Sequence, residues 1–215
     1  PMVDEDGKPV MGDVRVTPQA AMVSLDYDGG IAAVVGGLGE KEISRGFNRA
    51  TQAVRQVGST MKPIGPYATA LEDNKITWST PFFDGPVMQV EDEETGEKSD
   101  WPRNVTNRYT EKDILVRDAL AHSVNTIAVR VGQEAGVRRM YSFVTNDLGI
   151  STFTKDDRDL GPRVRGSSTY GITPLEMAMA YAMFGNGGYA VTPHSYTKVT
   201  SGTGVLVYEP DIKTQ

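Results

Sequence analysis

A serine and a lysine stand three positions apart in the segment RQVGSTMKPIGPYATALE, which covers residues 55–72. On a helix, residues at this spacing share a face with Cβ atoms about 5–6 Å apart, so the amine of Lys62 can reach the hydroxyl of Ser59. A serine becomes an effective nucleophile when a nearby base takes its proton, and a lysine acts as that base only when its pKa is lowered. The spacing is therefore compatible with a nucleophile and its base, but on its own it favours the alternative, a helix-capping Ser59 beside a surface Lys62.

The start of a helix also favours negative charge. The first backbone N–H groups of a helix have no partner within it, and they point towards any anion that lies at that end. The N–H of Ser59 is therefore a candidate donor to the oxyanion that forms during acyl transfer.

A second Ser-x-x-Lys, from Ser195 to Lys198, shows that the spacing alone is a weak signal, because roughly one such pair is expected by chance in a chain of this length. This pair lies in SYTKVTSGTGVLVYEP, which is predicted to form a hairpin with its turn at residues 201–204. On a strand, residues three apart point to opposite faces. We interpret the 195/198 pair as coincidental, so only the 59/62 pair has a geometry suited to catalysis.

A further candidate lies in AHSVNTIAV, where Ser123 and Asn125 fall between two helical patterns. A loop at this point can direct a hydroxyl and an amide to one place, as a proton relay and a hydrogen-bond donor to substrate. The alternative is that Ser123 or Asn125 only caps the next helix. The local sequence leaves both interpretations open.

The composition narrows the classes of function. The net charge is −6 and no cluster of lysine and arginine builds up, so nucleic acid is not an expected partner. Cysteine is absent, which excludes disulfides, thiolate metal sites and thiol catalysis and is compatible with an extracytoplasmic location. His122 and His194 are the two histidines, too few for a histidine-rich metal site, so we expect a catalytic base of another type. No apolar run approaches the roughly 20 residues of a membrane-spanning helix.

The chain has 215 residues, 39% of them hydrophobic, which is enough for one domain with a buried core. Residues 20–36 predict a β-hairpin, because two short apolar strands flank a turn that runs from Asp26 to Gly30. A run of charge around Thr95 predicts an exposed turn or the tip of a hairpin.

Helical patterns occupy most of the middle of the chain. A helix is predicted over 58–72, with its regular hydrogen bonding confined to the later turns by Pro63 and Pro66. Apolar residues at spacings of three and four predict further helices in three segments, 111–122, 125–136 and 138–149.

The clearest helix start is in TPLEMAMAYAMFGNGG. Thr173 can cap this helix, Pro174 suits its first position, and Glu176 completes a capping box. The order of elements is thus a hairpin, several helices and a second hairpin. Strands that are segregated from helices predict an α+β fold.

Three longer segments resemble the transpeptidase domain of class A penicillin-binding proteins, and they occur in the order of that family. They are FNRATQAVRQVGSTMKP, RDALAHSVNTIAVRVGQEAG and SSTYGITPLEMAMAYAMFGNGG, and the opening TPQAAMVSLDYDGGIAAVVGG is similar to the first two sheet strands of the same domain. The resemblance extends from about residue 17 to about residue 210. Its Arg-Gln-x-Gly-Ser-x-x-Lys-Pro context is far more specific than Ser-x-x-Lys alone.

The resemblance implies a role for each candidate residue. Ser59 matches the acylated nucleophile and Lys62 matches its general base. Ser123 matches the serine that carries a proton towards the leaving group, and Asn125 matches the asparagine that holds the substrate amide. The implied substrates are the D-Ala-D-Ala end of a peptidoglycan stem peptide, which is passed to a neighbouring strand, and β-lactams, which imitate that end. The resemblance implies no metal or organic cofactor.

The resemblance also implies a layout for the domain. The expected fold is that of penicillin-binding proteins and serine β-lactamases, with an N-terminal hairpin of the sheet at 17–40, a mostly helical active-site subdomain at 41–190 and a C-terminal hairpin at 191–215. We expect an internal piece of a longer protein that acts on the extracytoplasmic face of the membrane. Its membrane anchor is expected upstream, and the remaining sheet strands are expected in a further C-terminal segment of the same domain.

The chain departs from the family pattern in two places. Val57 stands where proline is common, which is a minor change because the backbone there needs only an extended conformation. The third motif of the family, Lys-Ser/Thr-Gly on a sheet strand, is missing. The nearest match begins at Lys213, but Gln215 replaces the glycine that lets substrate approach the strand, so we interpret this match as coincidental.

Two other functions remain open at this point. A serine β-lactamase or a D,D-carboxypeptidase would use related chemistry, although the segments quoted above are more similar to the synthase family. A β-lactam sensor would keep the fold and the acylation step without transferring the acyl group to an acceptor amine.

Overall fold

The computed structural model describes residues 18–41, 43–92, 94–154 and 171–212. Six α-helices lie in these ranges: α1 (Arg49–Gln52), α2 (Ala68–Glu72), α3 (Val116–Ala121), α4 (Asn125–Ala135), α5 (Val137–Ser142) and α6 (Pro174–Ala182). The same ranges hold eight strands: β1 (Met22–Leu25), β2 (Ile31–Val35), β3 (Pro81–Phe83), β4 (Met88–Glu91), β5 (Lys98–Trp101), β6 (Asp113–Leu115), β7 (Val199–Thr200) and β8 (Leu206–Tyr208). The strands form antiparallel pairs, β1–β2, β3–β6, β4–β5 and β7–β8, so the predicted α+β class is confirmed. Within these ranges no helix is both long and apolar enough to cross a membrane.

The predicted N-terminal hairpin is present, with β1 and β2 joined by a turn from Asp26 to Gly30. The N–H of Asp26 donates to the carbonyl of Gly30 over 2.7 Å. Gly29 has a φ of +93°, and a Cβ at this position would lie 2.6 Å from the carbonyl oxygen of Thr192, so the turn requires glycine for two reasons. The N–H of His194 donates to the carbonyl of Gly29 over 3.0 Å, and the carbonyl of His194 accepts from the N–H of Ile31 over 2.8 Å. These two bonds attach the hairpin to the segment that leads into β7.

The helix predicted over 58–72 consists of three pieces in succession: a 3-10 turn at Gly58–Thr60, a π-helical turn at Pro63–Tyr67 and α2. Pro63 and Pro66 have no N–H to donate, so the early turns cannot form a full set of α-helical hydrogen bonds. Because α2 begins only after Pro66, the prediction for this helix is confirmed.

The segment 111–122, predicted as one helix, contains a strand followed by a shorter helix. Residues 113–115 form β6, which places Ile114 opposite Phe82 of β3, and α3 begins at Val116. The helical prediction was therefore wrong for the first part of this segment. A strand of three residues that continues directly into a helix is too short to show an alternating period of its own.

The other predicted helices and the charged turn are confirmed. Residues 125–135 form α4, and α5 continues into a π-helical turn at Phe143–Asp147. Gly149, at which the third pattern was predicted to end, has a φ of +69°. The charged run lies at the tip of the β4–β5 hairpin, where the N–H of Asp92 donates to the carbonyl of Glu97 over 2.9 Å.

The start of α6 has the predicted capping box. The hydroxyl of Thr173 accepts a hydrogen bond from the N–H of Glu176 over 3.2 Å, and the Glu176 carboxylate accepts in return from the Thr173 N–H over 3.4 Å. The same carboxylate accepts from the N–H and the hydroxyl of Ser151, over 2.8 Å and 2.6 Å. Glu176 thus joins the start of α6 to the segment that follows Gly149.

Two buried clusters lie on either side of the helix that begins at Gly58. One contains Ile64 and packs it against residues near Phe143 and α6, and the other contains Tyr67 and packs it against α3 and α4. Ile64 is fully buried and Tyr67 is 1% exposed. Since both clusters hold the same π-helical turn, the residues just before it have a rigid support.

The second Ser-x-x-Lys pair was predicted to lie on a strand, and this prediction was wrong. Ser195 and Lys198 precede β7 in an irregular segment, and both are exposed. The hairpin itself is present, and its turn at 201–204 is closed by a hydrogen bond of 2.8 Å from the N–H of Ser201 to the carbonyl of Val205. The partial match that begins at Lys213 lies outside the described residues.

Candidate active site

Ser59 lies in the middle of the 3-10 turn and is exposed. Gly58 has a φ of +55°, a left-handed conformation that glycine adopts without strain. The hydroxyl of Thr60 donates to the carbonyl of Val57 over 2.6 Å, and the hydroxyl of Tyr181 on α6 donates to the carbonyl of Thr60 over 2.7 Å. The turn therefore presents the serine to solvent from a backbone that its neighbours hold in place.

Lys62 follows this turn, and its amine contacts the loop between α3 and α4. The Nζ atom donates to the carbonyl oxygen of Ser123 over 2.7 Å, to Oγ of Ser123 over 3.0 Å and to Oδ1 of Asn125 over 2.5 Å. Burial lowers the pKa of Lys62 from 10.5 to about 8. This lysine therefore gives up its proton more readily than a surface lysine does.

The three contacts engage every hydrogen of a protonated amine. An ammonium group has three donors and no lone pair, and here three acceptors surround it. In the part of the chain that the structure describes, no hydrogen bond joins Lys62 to Ser59. A neutral amine has two donors and one lone pair, so loss of a proton releases one contact and provides an acceptor for the Ser59 hydroxyl.

Ser123 occupies the residue position just past the end of α3, where helices commonly end in the left-handed conformation. Its φ is +52°, and its N–H donates to the carbonyl of Leu120 over 3.0 Å. The N–H of Val124 donates to the carbonyl of Ala119 over 2.9 Å, which completes a Schellman motif. Glycine is usual at this position, so the serine is held in a strained backbone conformation that directs its hydroxyl to Lys62.

Asn125 is the first residue of α4, and its side chain has two contacts. Because a protonated Lys62 can only donate, the oxygen of the amide must be the atom that faces the amine. The nitrogen then donates to the carbonyl of Arg103 over 2.6 Å. One hydrogen of this nitrogen remains for a further acceptor.

The structure thus brings together three of the four candidates, Lys62, Ser123 and Asn125, with Ser59 one turn away on the same helical segment. Neither histidine takes part in these contacts. The Nδ1 of His122 lies 2.9 Å from the carbonyl of Asp118, and the Nδ1 of His194 lies 3.0 Å from the carbonyl of Thr192. Among the described residues no group of three or more histidine and acidic side chains is placed to hold a metal ion.

The sequence analysis did not single out two residues that support this arrangement, Asp84 and Asn104. Asn104 accepts a hydrogen bond from the backbone N–H of Asn125 over 3.0 Å and donates one to Asp84 over 2.8 Å. Both residues lie in segments that have the composition of ordinary turns. No local spacing connects them, since 20 positions separate Asp84 from Asn104.

Solved structures with the same fold define the class to which this domain belongs. Penicillin-binding protein 1A from Haemophilus influenzae superimposes with a TM-score of 0.72 at 32% identity, over 98% of this chain and 29% of that one. The PonA1 protein from Mycobacterium tuberculosis, solved in complex with penicillin V, superimposes with a TM-score of 0.66 at 25% identity, over 89% of this chain and 51% of that one. The fold is therefore that of a penicillin-binding protein transpeptidase domain.

The sequence comparison agrees with the fold. Residues 22–215 match the family described as the penicillin binding protein transpeptidase domain, and the chain belongs to that family. Penicillin-binding protein 1A from Pseudomonas aeruginosa is 37% identical over 196 residues, which are 89% of this chain and 22% of that protein. The chain spans about a quarter of the length of the curated relatives that it matches.

Proposed function

We propose that this chain carries the acylation site of a peptidoglycan D,D-transpeptidase, with Ser59 as the nucleophile and Lys62 as its base. The observation that carries the proposal is the set of hydrogen bonds that join Lys62 to Ser123 and Asn125. These contacts connect the candidate base to the candidate proton relay and to the candidate substrate-binding amide. Membership of the transpeptidase family supports the same assignment.

The first step is acylation of Ser59. Neutral Lys62 takes the hydroxyl proton while Oγ forms a bond to the carbonyl carbon of the penultimate D-alanine of a stem peptide. The backbone N–H of Ser59 donates to the resulting oxyanion. The C–N bond to the terminal D-alanine then breaks, and Ser123 gives its proton to the leaving nitrogen and regains one from Lys62 across the 3.0 Å contact.

The second step transfers the acyl group to the amine of a neighbouring stem peptide. That amine attacks the ester carbon of the acyl-enzyme, and its proton returns through Ser123 and Lys62 to the Ser59 oxygen. A β-lactam follows the first step only, because opening its ring leaves the departing nitrogen attached to the acyl group. The nitrogen therefore remains in the site, which hinders the approach of an acceptor.

We place this reaction on the extracytoplasmic face of the bacterial cytoplasmic membrane, where peptidoglycan is cross-linked. The relatives that support the placement are named penicillin-binding protein 1A. The absence of cysteine is compatible with this location.

The test is to label the protein with a fluorescent penicillin and to locate the label by peptide mapping. We expect the label on Ser59 and its loss in Ser59→Ala, while the matched control Ser195→Ala labels normally. A label on Ser123 or Ser195, or one that survives Ser59→Ala, would contradict the assignment.

A second measurement distinguishes the alternative functions. Incubation with a D-Ala-D-Ala peptide and an acceptor amine should release D-alanine and form a cross-linked product. Rapid turnover of penicillin would instead indicate a β-lactamase, and a stable adduct without any cross-linked product would indicate a sensor.

A further inference from the structure

A buried carboxylate lies behind the residues that hold Asn125. Asp84 directly follows β3 and is 1% exposed. Its Oδ1 accepts from Nδ2 of Asn104 over 2.8 Å and from the hydroxyl of Thr126 over 2.6 Å, and its Oδ2 accepts from the N–H of Thr110 over 2.8 Å. Burial acts to raise the pKa of Asp84, but these hydrogen bonds outweigh it and lower the pKa, so the carboxylate is charged at neutral pH.

Asn104 links this carboxylate to the first turn of α4. Its Nδ2 also donates to the carbonyl of Arg108 over 3.1 Å, so both amide hydrogens are engaged. Its Oδ1 accepts from the N–H of Asn125 over 3.0 Å and from that of Thr126 over 3.4 Å. The N-cap residue Val124 makes no such bond. Asn104 therefore caps α4 from a distant part of the chain, in place of the serine or aspartate that helices usually use.

Asp84, which as a carboxylate can only accept, helps the carbonyl of Arg108 to fix which way round the Asn104 amide lies. The carboxylate of Asp84 is the acceptor in all its side-chain hydrogen bonds with Asn104, Thr126 and Thr110. If Asp84 were replaced by asparagine, the new NH2 would face a donor in either orientation. Asn104 could then rotate by half a turn, which would place its own NH2 against the N–H groups of α4.

We propose that Asp84 and Asn104 are positioning residues for the acylation step, and that they act through Asn125. The proposal rests on the function proposed above for Lys62 and Asn125. Asn125 is held at three points: its backbone by Asn104, its Nδ2 by the carbonyl of Arg103, and its Oδ1 by Lys62. Because Arg103 and Asn104 are adjacent, displacement of Asn104 releases two of the three points together.

The first test does not depend on catalysis. Amide hydrogen exchange is measured in Asn104→Ala, in Asp84→Asn and in the control Asp73→Asn, where the carboxylate accepts from Arg139 over 3.1 Å at the end of α2. We expect protection of the Asn125 and Thr126 amides to fall by at least about tenfold in the first two variants and to stay unchanged in the control. Unchanged protection in Asn104→Ala would overturn the proposal. If Asp84→Asn does not fold, Asn104→Ala still decides this test.

The second test measures the rate of acylation at saturating fluorescent penicillin. Displacement of a catalytic group by about 1 Å can lower a rate by ~10²-fold, so we expect Asp84→Asn to react ~10–100-fold more slowly and Asp73→Asn to react normally.

Adding Asn125→Ala to Asp84→Asn should give no further loss beyond Asn125→Ala alone, because both changes remove the same interaction. Multiplied losses would show that Asp84 does not act through Asn125 and would overturn the proposal. A label that does not depend on Ser59 would contradict the proposed function instead, and the exchange measurement would still decide the positioning role.

Discussion

The amine of Lys62 lies 3.0 Å from the hydroxyl oxygen of Ser123, although 61 positions separate the two residues in the chain. This contact connects a helix that begins at the exposed Ser59 with the junction between α3 and α4. The junction partly buries Lys62, and Ser123, in its left-handed conformation at the end of α3, places its hydroxyl near the amine. A surface lysine beside a helix cap would be neither buried by this junction nor in contact with Ser123.

Replacement of Lys62 by arginine tests its role as a base. Lys62→Arg keeps the positive charge, but a guanidinium group does not deprotonate in proteins. We expect the rate of acylation by a fluorescent penicillin to fall by at least the ~10²-fold that loss of a general base produces. Lys198→Arg, in the exposed second pair, is the matched control and should react normally. A near-normal rate in Lys62→Arg would return Lys62 to the role of a surface lysine.

The lowered pKa of Lys62 predicts how acylation depends on pH. In the proposed mechanism, attack by Ser59 requires the neutral amine of Lys62, which is the minor form below a pKa of about 8 and the major form above it. The rate should therefore rise with pH, by roughly tenfold between pH 7 and pH 9, and level off beyond that. Stopped-flow acylation across this range measures the profile. A rate that falls as pH rises through 8 would contradict a neutral lysine base.

The left-handed conformation of Ser123 predicts that two small substitutions will differ in their effect on stability. Ser123→Gly and Ser123→Ala both remove the hydroxyl and should slow acylation to the same extent. Glycine adopts a φ of +52° without strain while alanine does not, so Ser123→Gly should be more stable than Ser123→Ala by about 1 kcal/mol. Urea unfolding of the two variants measures this difference. Equal stability would show that the backbone at Ser123 is not strained.

Several elements could be predicted from the sequence because their signals are local. The Thr173 capping box, the turn from Asp26 to Gly30 and the two prolines after Lys62 each act within a few residues, and the structure agrees at all three places. The pairing of β3 with β6 could not be predicted in this way. It joins three-residue strands that are about 30 positions apart, and such a strand has no detectable period.

In the candidate site, too, only the features with a local sequence signal could be predicted. The Ser59 and Lys62 spacing was visible in the sequence, and so was the pair formed by Ser123 and Asn125. The support from Asn104 was not visible in the sequence. An asparagine that caps a helix 21 positions away stands at no fixed spacing from that helix, so no sequence pattern reveals it. Resemblance to a family connected the two motifs, and the hydrogen bonds of Lys62 show how they meet in space.

The hydroxyl of Tyr181 links α6 to the turn that carries Ser59. It donates to the carbonyl of Thr60 over 2.7 Å, and its ring packs edge to face on Phe184 with the centroids 5.5 Å apart. Tyr181→Phe keeps the ring contact and removes only the hydrogen bond, so the free energy of unfolding should fall by about 0.5–1.5 kcal/mol. Because Thr60 lies between Ser59 and Lys62, acylation should also slow several-fold. Thermal unfolding and penicillin labelling measure the two effects, with Tyr208→Phe on the exposed β8 as the control. A Tyr181→Phe protein that matches this control in both measurements would show that the hydrogen bond does not hold the turn in place.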